Sequence, residues 1–127
     1  MSASNGQVST VCLVDDDASV LKATGRLLAS SGWKVESFLD PIAFLRYAET
    51  CKPNVVVLDI LMPSMNGLEV QNELRTISPS TRVIILTSKD DPSVRSKAMA
   101  AGASNFFLKP VNDDKFLAGI ESAAKRD

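Results

Sequence analysis

VVVLDILMPSMNG, residues 55–67, opens with four branched apolar residues and then an acid. An unbroken apolar run of this length lacks the alternation of a half-exposed strand. It is the pattern of a strand covered on both faces, as found in parallel sheets with helices on either side. Asp59 then stands at the tip of that strand, where the chain leaves the sheet. Met62-Pro63 to Asn66-Gly67 reads as loop, and Leu68 to Ile77 as a helix that stops before Pro79.

Working outward, TVCLV (10–14) and RVIILT (82–87) read as two more buried strands. WKVESF (33–38) alternates like a half-buried strand, and NFFL (105–108) is a short one. Helical patterns lie between them. Over 18–31, Val20, Leu21, Ala23, Thr24, Leu27 and Leu28 recur at helical spacing, and Gly32 follows as a stop. Asp40-Pro41 and Asp91-Pro92 each combine an N-cap with a proline at the first helical position. The helices they open run to about Cys51 and Ala101, the second stopped by Gly102. Residues 112–125 form a last amphipathic helix. Strands alternating with helices predict βαβ units, a parallel sheet and right-handed crossovers. The 127 residues suit one domain, expected over 9–127 behind a loose N-terminal extension at 1–8.

Composition narrows the function. Hydrophobic residues make up 45% of the chain, enough for a real core. The 14 Lys plus Arg against 15 Asp plus Glu argue against a nucleic-acid surface, which carries a basic excess. No apolar stretch is long enough to span a bilayer. The leader MSASNGQVS has neither the basic nor the apolar region of a signal peptide, so the expected location is cytoplasmic. Cys12 and Cys51 read as two buried or half-buried free thiols. The chain has no histidine. Histidine acid–base chemistry and histidine-ligated zinc are therefore excluded, and carboxylates, hydroxyls, lysines and backbone must supply whatever chemistry occurs.

Sites on open parallel sheets lie beyond the carboxyl ends of the strands. Asp15, Asp16 and Asp17 follow the first strand, Asp59 the third, Thr87 and Ser88 close the fourth, and Lys109-Pro110 follows the fifth. Taken singly, each is more commonly a turn residue, a cap or a surface charge. Together they converge on one edge if those four strands are neighbours. Three adjacent carboxylates repel one another, the more so in low dielectric, and a hard divalent cation such as Mg²⁺ relieves that repulsion. Metal-assisted phosphoryl transfer fits: Asp59 as carboxylate nucleophile forming an acyl phosphate, Lys109 balancing one phosphoryl oxygen, and the Thr87 hydroxyl bonding another.

VDDD (14–17), VLDILMPSMNG (57–67), ILTS (85–88) and AGASNFFLKP (101–110) together resemble the receiver domain of two-component response regulators, over about residues 9–125. The resemblance implies an α/β, doubly wound five-stranded parallel sheet of strand order 2-1-3-4-5, a (βα)5 flavodoxin-like three-layer sandwich. It implies Asp59 as phosphoacceptor, Asp16 as direct metal ligand, Asp15 acting through bound water, and the Leu61 backbone carbonyl completing the set. The metal implied is Mg²⁺, with Mn²⁺ as a substitute. Asp17 matches no ligand and reads as an N-cap. Thr87 matches the switch hydroxyl and Lys109 the phosphate-binding lysine. Pro110 follows a cis peptide bond, and Phe106 is the switch aromatic, here lacking a tyrosine's hydroxyl. Leu61 and Lys89 flank the path of an attacking water and do nothing to activate it, which implies slow autodephosphorylation. The implied partners are a sensor histidine kinase and a downstream effector domain or partner protein, with a homodimer on phosphorylation as a further mode. The signalling face is the helix after Asp91, the NFFL strand and the last helix. No helix-turn-helix follows residue 127, so direct nucleic-acid binding by this chain is not expected, nor is membrane binding.

Three other readings fit less well. A flavodoxin-like redox domain needs an anion-binding loop where this chain has three acids. An aspartate-nucleophile phosphatase wants a second acid at position 61, which is Leu. A receiver-shaped interaction module that never takes phosphate has no need of the full motif set.

Overall fold

Among residues 9–125, which the computed structural model describes, five strands alternate with five helices. They are β1 (Thr10–Val14), α1 (Ala18–Ser30), β2 (Lys34–Phe38), α2 (Pro41–Cys51), β3 (Val55–Leu58), α3 (Gly67–Ile77), β4 (Arg82–Thr87), α4 (Pro92–Ala100), β5 (Asn105–Leu108) and α5 (Asp113–Ala124). The extension expected over 1–8 lies outside the described residues. All the strands pair in parallel, in the order β2-β1-β3-β4-β5. The doubly wound fold expected from the sequence is therefore the fold observed.

β3 is central and buried throughout, which is why its sequence is apolar at every position. β2 lies at an edge and its residues are half-buried or exposed. Each helix begins at a polar cap. Asp17, Asp40 and Asp91 accept backbone N–H groups from the first turns of α1, α2 and α4, and Asn112 does so for α5. At α3, Asn66 and Glu69 form a reciprocal capping box. Asp17 is thus the N-cap its sequence suggested. Gly32 and Gly102 take φ values of +95° and +102° just beyond α1 and α4, where the chain must turn left-handed.

The sheet separates two apolar clusters, because successive side chains on a strand point to opposite faces. One holds Val14, Leu58, Ile85 and Phe106 together with Phe44 of α2 and Val70 and Leu74 of α3. The other holds Leu13, Val57 and Leu86 with Leu28 of α1 and Phe116 and Ile120 of α5. Cys12 is fully buried, and burial pushes its thiol up to about 12. Cys51 corrects the expectation of two buried or half-buried thiols: it ends α2 and is exposed. The last turn of α2 faces outward there, and the αL cap at Lys52 turns the chain away from it.

Candidate functional site

The backbone ladder continues past the strand ends and sets the site residues level with one another. The N–H of Asp15 donates to Phe38, that of Asp59 to Val14 and that of Lys109 to Thr87, at 3.2, 3.0 and 2.8 Å. Val14 is the register partner of Leu58, and Thr87 that of Leu108. The residues that follow these pairs therefore emerge side by side at the carboxyl edge, as their sequence positions implied.

Asp15, Asp16 and Asp59 each bring one carboxylate oxygen within 4.8 Å of the others. Asp15 and Asp59 are buried, at 5% and 8% exposure, while Asp16 is exposed to solvent. Lys109 Nζ lies 2.8 Å from Asp15 Oδ2 and 3.6 Å from Asp59 Oδ2. Asp15 is held further by the Asp17 N–H on its Oδ1, at 2.9 Å. Asp59 accepts the Ile60 N–H on Oδ1 at 2.8 Å, which leaves Oδ2 with the more distant lysine. Thr87 Oγ1 is buried and makes no hydrogen bond of ordinary length, yet it lies close enough to bias the Asp59 carboxylate towards its charged form. The Asp17 carboxylate stays with its helix, and only its backbone N–H reaches the cluster. Leu61 is 53% exposed at the rim, and with Lys89 it borders a small cavity that reaches Thr87. Phe106 is buried with its ring turned inward against the α3–α4 side. The Lys109-Pro110 peptide bond is cis.

Burial raises the Asp59 carboxyl above the usual range, and the charge of Asp15 adds to the rise. Lys109, Thr87 and the Ile60 N–H oppose it without cancelling it. Burial by itself would lower the Lys109 ammonium. Its hydrogen bond to Asp15 and the charges of Asp59 and Asp15 outweigh that and raise it. The folded chain therefore holds the Asp59 proton more tightly than the unfolded chain does. Stability from this group is greatest below the ordinary aspartate value of about 4 and falls as pH climbs through the raised folded value. In chelator, the stability of Asp59→Asn relative to wild type should rise with pH over that window and then level off. Urea midpoints measured across the window check this, and a difference that shrinks with pH contradicts it.

Gly67 closes the loop against Asp59. Its N–H donates to Ile60 at 2.9 Å. A Cβ there would fall on the Asp59 carbonyl oxygen and 3.0 Å from the Ile60 Cα, both backbone atoms that cannot step aside. Gly67→Ala should therefore cost about 1–3 kcal/mol of stability, read from the shift in urea midpoint. An unchanged midpoint would mean that the loop yields freely.

Residues 11–121 match the family model of the response regulator receiver domain. The chain belongs to that family. This receiver is 36% identical over 121 residues to the response regulator protein TmoT of Ectopseudomonas mendocina, covering 95% of this chain and 55% of TmoT. It superposes on the BeF3-activated receiver domain of DrrB, a Thermotoga maritima protein, with a TM-score of 0.84 and 32% identity, over 94% of this chain and 100% of that one. A receiver domain protein from Methanospirillum hungatei JF-1 gives a TM-score of 0.88 at 26% identity, over 93% and 94% of the two chains. The receiver spans about half the length of the curated relatives it matches. Receivers of this family are signalling domains. Among the described residues, no helix is long and apolar enough to cross a membrane.

Two residues that pack around α4 carry no motif signal in the sequence. Arg95 of α4 sits over the Phe106 ring, 5.2 Å from its centroid. Gln71 of α3 is 1% exposed. Arg95 lies within an exposed polar helix and Gln71 within an ordinary amphipathic one, and neither belongs to a recognisable motif.

Proposed function

We propose that this receiver takes a phosphoryl group from the phosphohistidine of a sensor histidine kinase onto Asp59, and that the acyl phosphate so formed changes the α4–β5–α5 surface. One observation carries the reading. Asp59 is a buried carboxylate with one oxygen fixed by the Ile60 N–H and the other turned to Lys109, among two further acids at the carboxyl edge of the sheet.

The three carboxylates form an all-oxygen donor set, which suits a hard divalent cation, Mg²⁺ or in its stead Mn²⁺. Asp16, Asp59 and the Leu61 carbonyl would hold the ion directly, with Asp15 acting through bound water. When bound, it supplies positive charge against the carboxylates and a phosphoryl oxygen. The protein's own groups do the rest by position. An Asp59 carboxylate oxygen forms a bond to phosphorus as the bond from phosphorus to the histidine nitrogen breaks. The leaving imidazole keeps that electron pair. The Lys109 ammonium moves its charge from Asp15 to a phosphoryl oxygen, and the Thr87 hydroxyl, which makes no hydrogen bond of ordinary length in this structure, gains an acceptor.

Thr87, Phe106 and Pro110 form the switch. Ile85 and Phe106 are register partners, so Thr87 and Phe106 face the same side of the sheet. Movement of the hydroxyl towards the phosphoryl group opens space for the ring, and the added charge shifts a population between two states. The output goes to an effector domain or a partner protein, or through a homodimer formed on that face. Leu61 offers no hydrogen bond to an attacking water, and a charged Lys89 accepts no proton from it. The phosphoprotein should therefore persist for minutes or longer, and decay within seconds in a mass time course would refute this.

Intact mass after incubation with acetyl phosphate, with Mg²⁺ or with excess chelator, tests the whole reading. Gain of one phosphoryl group only with the metal supports it. No gain in either, together with no response to beryllofluoride, leaves a receiver fold that works without phosphate.

A further inference from the structure

α4 is weakly attached along most of its length. Ala98 is its one buried residue. Val94 only partly reaches the core, and Arg95 touches the sheet through its exposed guanidinium over Phe106. At its C-terminal turn the attachment differs. The Ala98 carbonyl accepts the Ala103 N–H at 3.1 Å, a bond that closes the helix across the left-handed Gly102. The same carbonyl accepts a second hydrogen bond from Gln71 Nε2, at 2.9 Å, from inside the core. Both of its lone pairs are thus occupied. Gln71 is buried and its Oε1 has no partner.

That unpartnered oxygen separates packing from anchoring. A methionine or leucine would fill the same space without leaving a buried acceptor unpaired, so packing by itself favours an apolar residue here. The amide adds one thing an apolar side chain lacks, the bond to Ala98. The opposite end of α4 begins at Asp91, beside the small cavity shared by Thr87, Leu61 and Lys89. The helix thus has its fastened end away from the site and its loosely held end next to it.

We infer that Gln71 is a positioning residue that anchors the C-terminal turn of α4 to α3 and so holds the helix in its resting placement. The inference rests on the reading above, in which phosphorylation of Asp59 acts through the α4 face. Gln71 touches neither Asp59 nor Lys109 and has no part in the transfer chemistry. On this assignment the bond belongs to the resting state, so its loss weakens that state and a ligand that favours the other binds more tightly.

The test uses the full chain with Gln71→Met and Gln71→Leu. Amide hydrogen exchange is followed at Ala101, Gly102 and Ala103, whose N–H groups close α4. Beryllofluoride with Mg²⁺ is titrated in parallel. The anchor predicts exchange about tenfold faster at those three amides in both variants, with the amides of β1 and β3 unchanged. It also predicts half-saturation at about threefold lower beryllofluoride. Exchange at the three amides equal to wild type would overturn it, as would faster exchange spread over the whole sheet. Weaker or unchanged beryllofluoride binding with faster α4 exchange would overturn the claim on the resting state. A wild type that ignores beryllofluoride sinks the phosphoacceptor reading instead, and with it the switching role assigned to Gln71.

Discussion

Asp59→Asn should gain no phosphoryl group under conditions that fully label the wild type, and in chelator at neutral pH it should also be the more stable protein. The first effect follows from the nucleophile. The amide carbonyl can still accept the Ile60 N–H, but the NH₂ that replaces Oδ2 has neither the charge nor the lone pair to attack phosphorus. The second follows from electrostatics. Asp59 is buried and shares its corner with Asp15, and both features disfavour its charged form. A neutral group of the same shape removes that cost, while Lys109 keeps its closer partner Asp15 at 2.8 Å. Intact mass and urea denaturation read the two effects. A labelled Asp59→Asn chain would move the acceptor elsewhere. A less stable one would mean that Lys109 stabilises the Asp59 charge by more than burial penalises it.

Lys109→Ala should fail in the opposite sense on stability. Removing the ammonium leaves Asp15 and Asp59 buried without their shared cation. Leaving buried carboxylates without their cation costs about 3–5 kcal/mol, and Mg²⁺ should recover part of that loss because it supplies positive charge to the same carboxylates. The phosphorylation rate with acetyl phosphate should fall by about 10²-fold or more, the cost of losing one preorganised charge at the transferring group. Rates within twofold of wild type would show that Lys109 serves the fold and not the transfer. Opposite stability changes at two residues only 3.6 Å apart are hard to produce by general damage to the site.

Much of this site was legible because strands end where their apolar runs end. VVVLD and TVCLV located Asp59 and Asp15, the Lys-Pro pair followed NFFL, and a parallel sheet places such ends at one edge. The Asp-Pro starts of α2 and α4 were equally plain, since cap and proline act locally. Contacts that depend on three-dimensional neighbours were not. No spacing rule says that Lys109 will rest closer to Asp15 than to Asp59. The burial of Gln71 was illegible because a polar residue on an amphipathic helix is ordinarily assigned to the wet side. Arg95 over Phe106 was illegible because α4 buries only Ala98 and so shows almost no periodicity. Cys51 was misjudged because an apolar residue at a helix end carries no information on which way the last turn faces.

The division of the interior by the sheet has a consequence for how such a chain can change over time. Ile85, Phe106 and the buried side of α4 belong with one apolar cluster, whereas the inner faces of α1 and α5 belong with the other. A backbone ladder stands between them like a bulkhead. Side chains of the two clusters leave that backbone on opposite faces, so substitutions deep in one compartment should act nearly independently of those deep in the other. On the reading proposed above, the α1 side is then free to drift while the coupling between Asp59 and α4 is kept. A fold partitioned in this way can vary one of its two faces while leaving the other undisturbed.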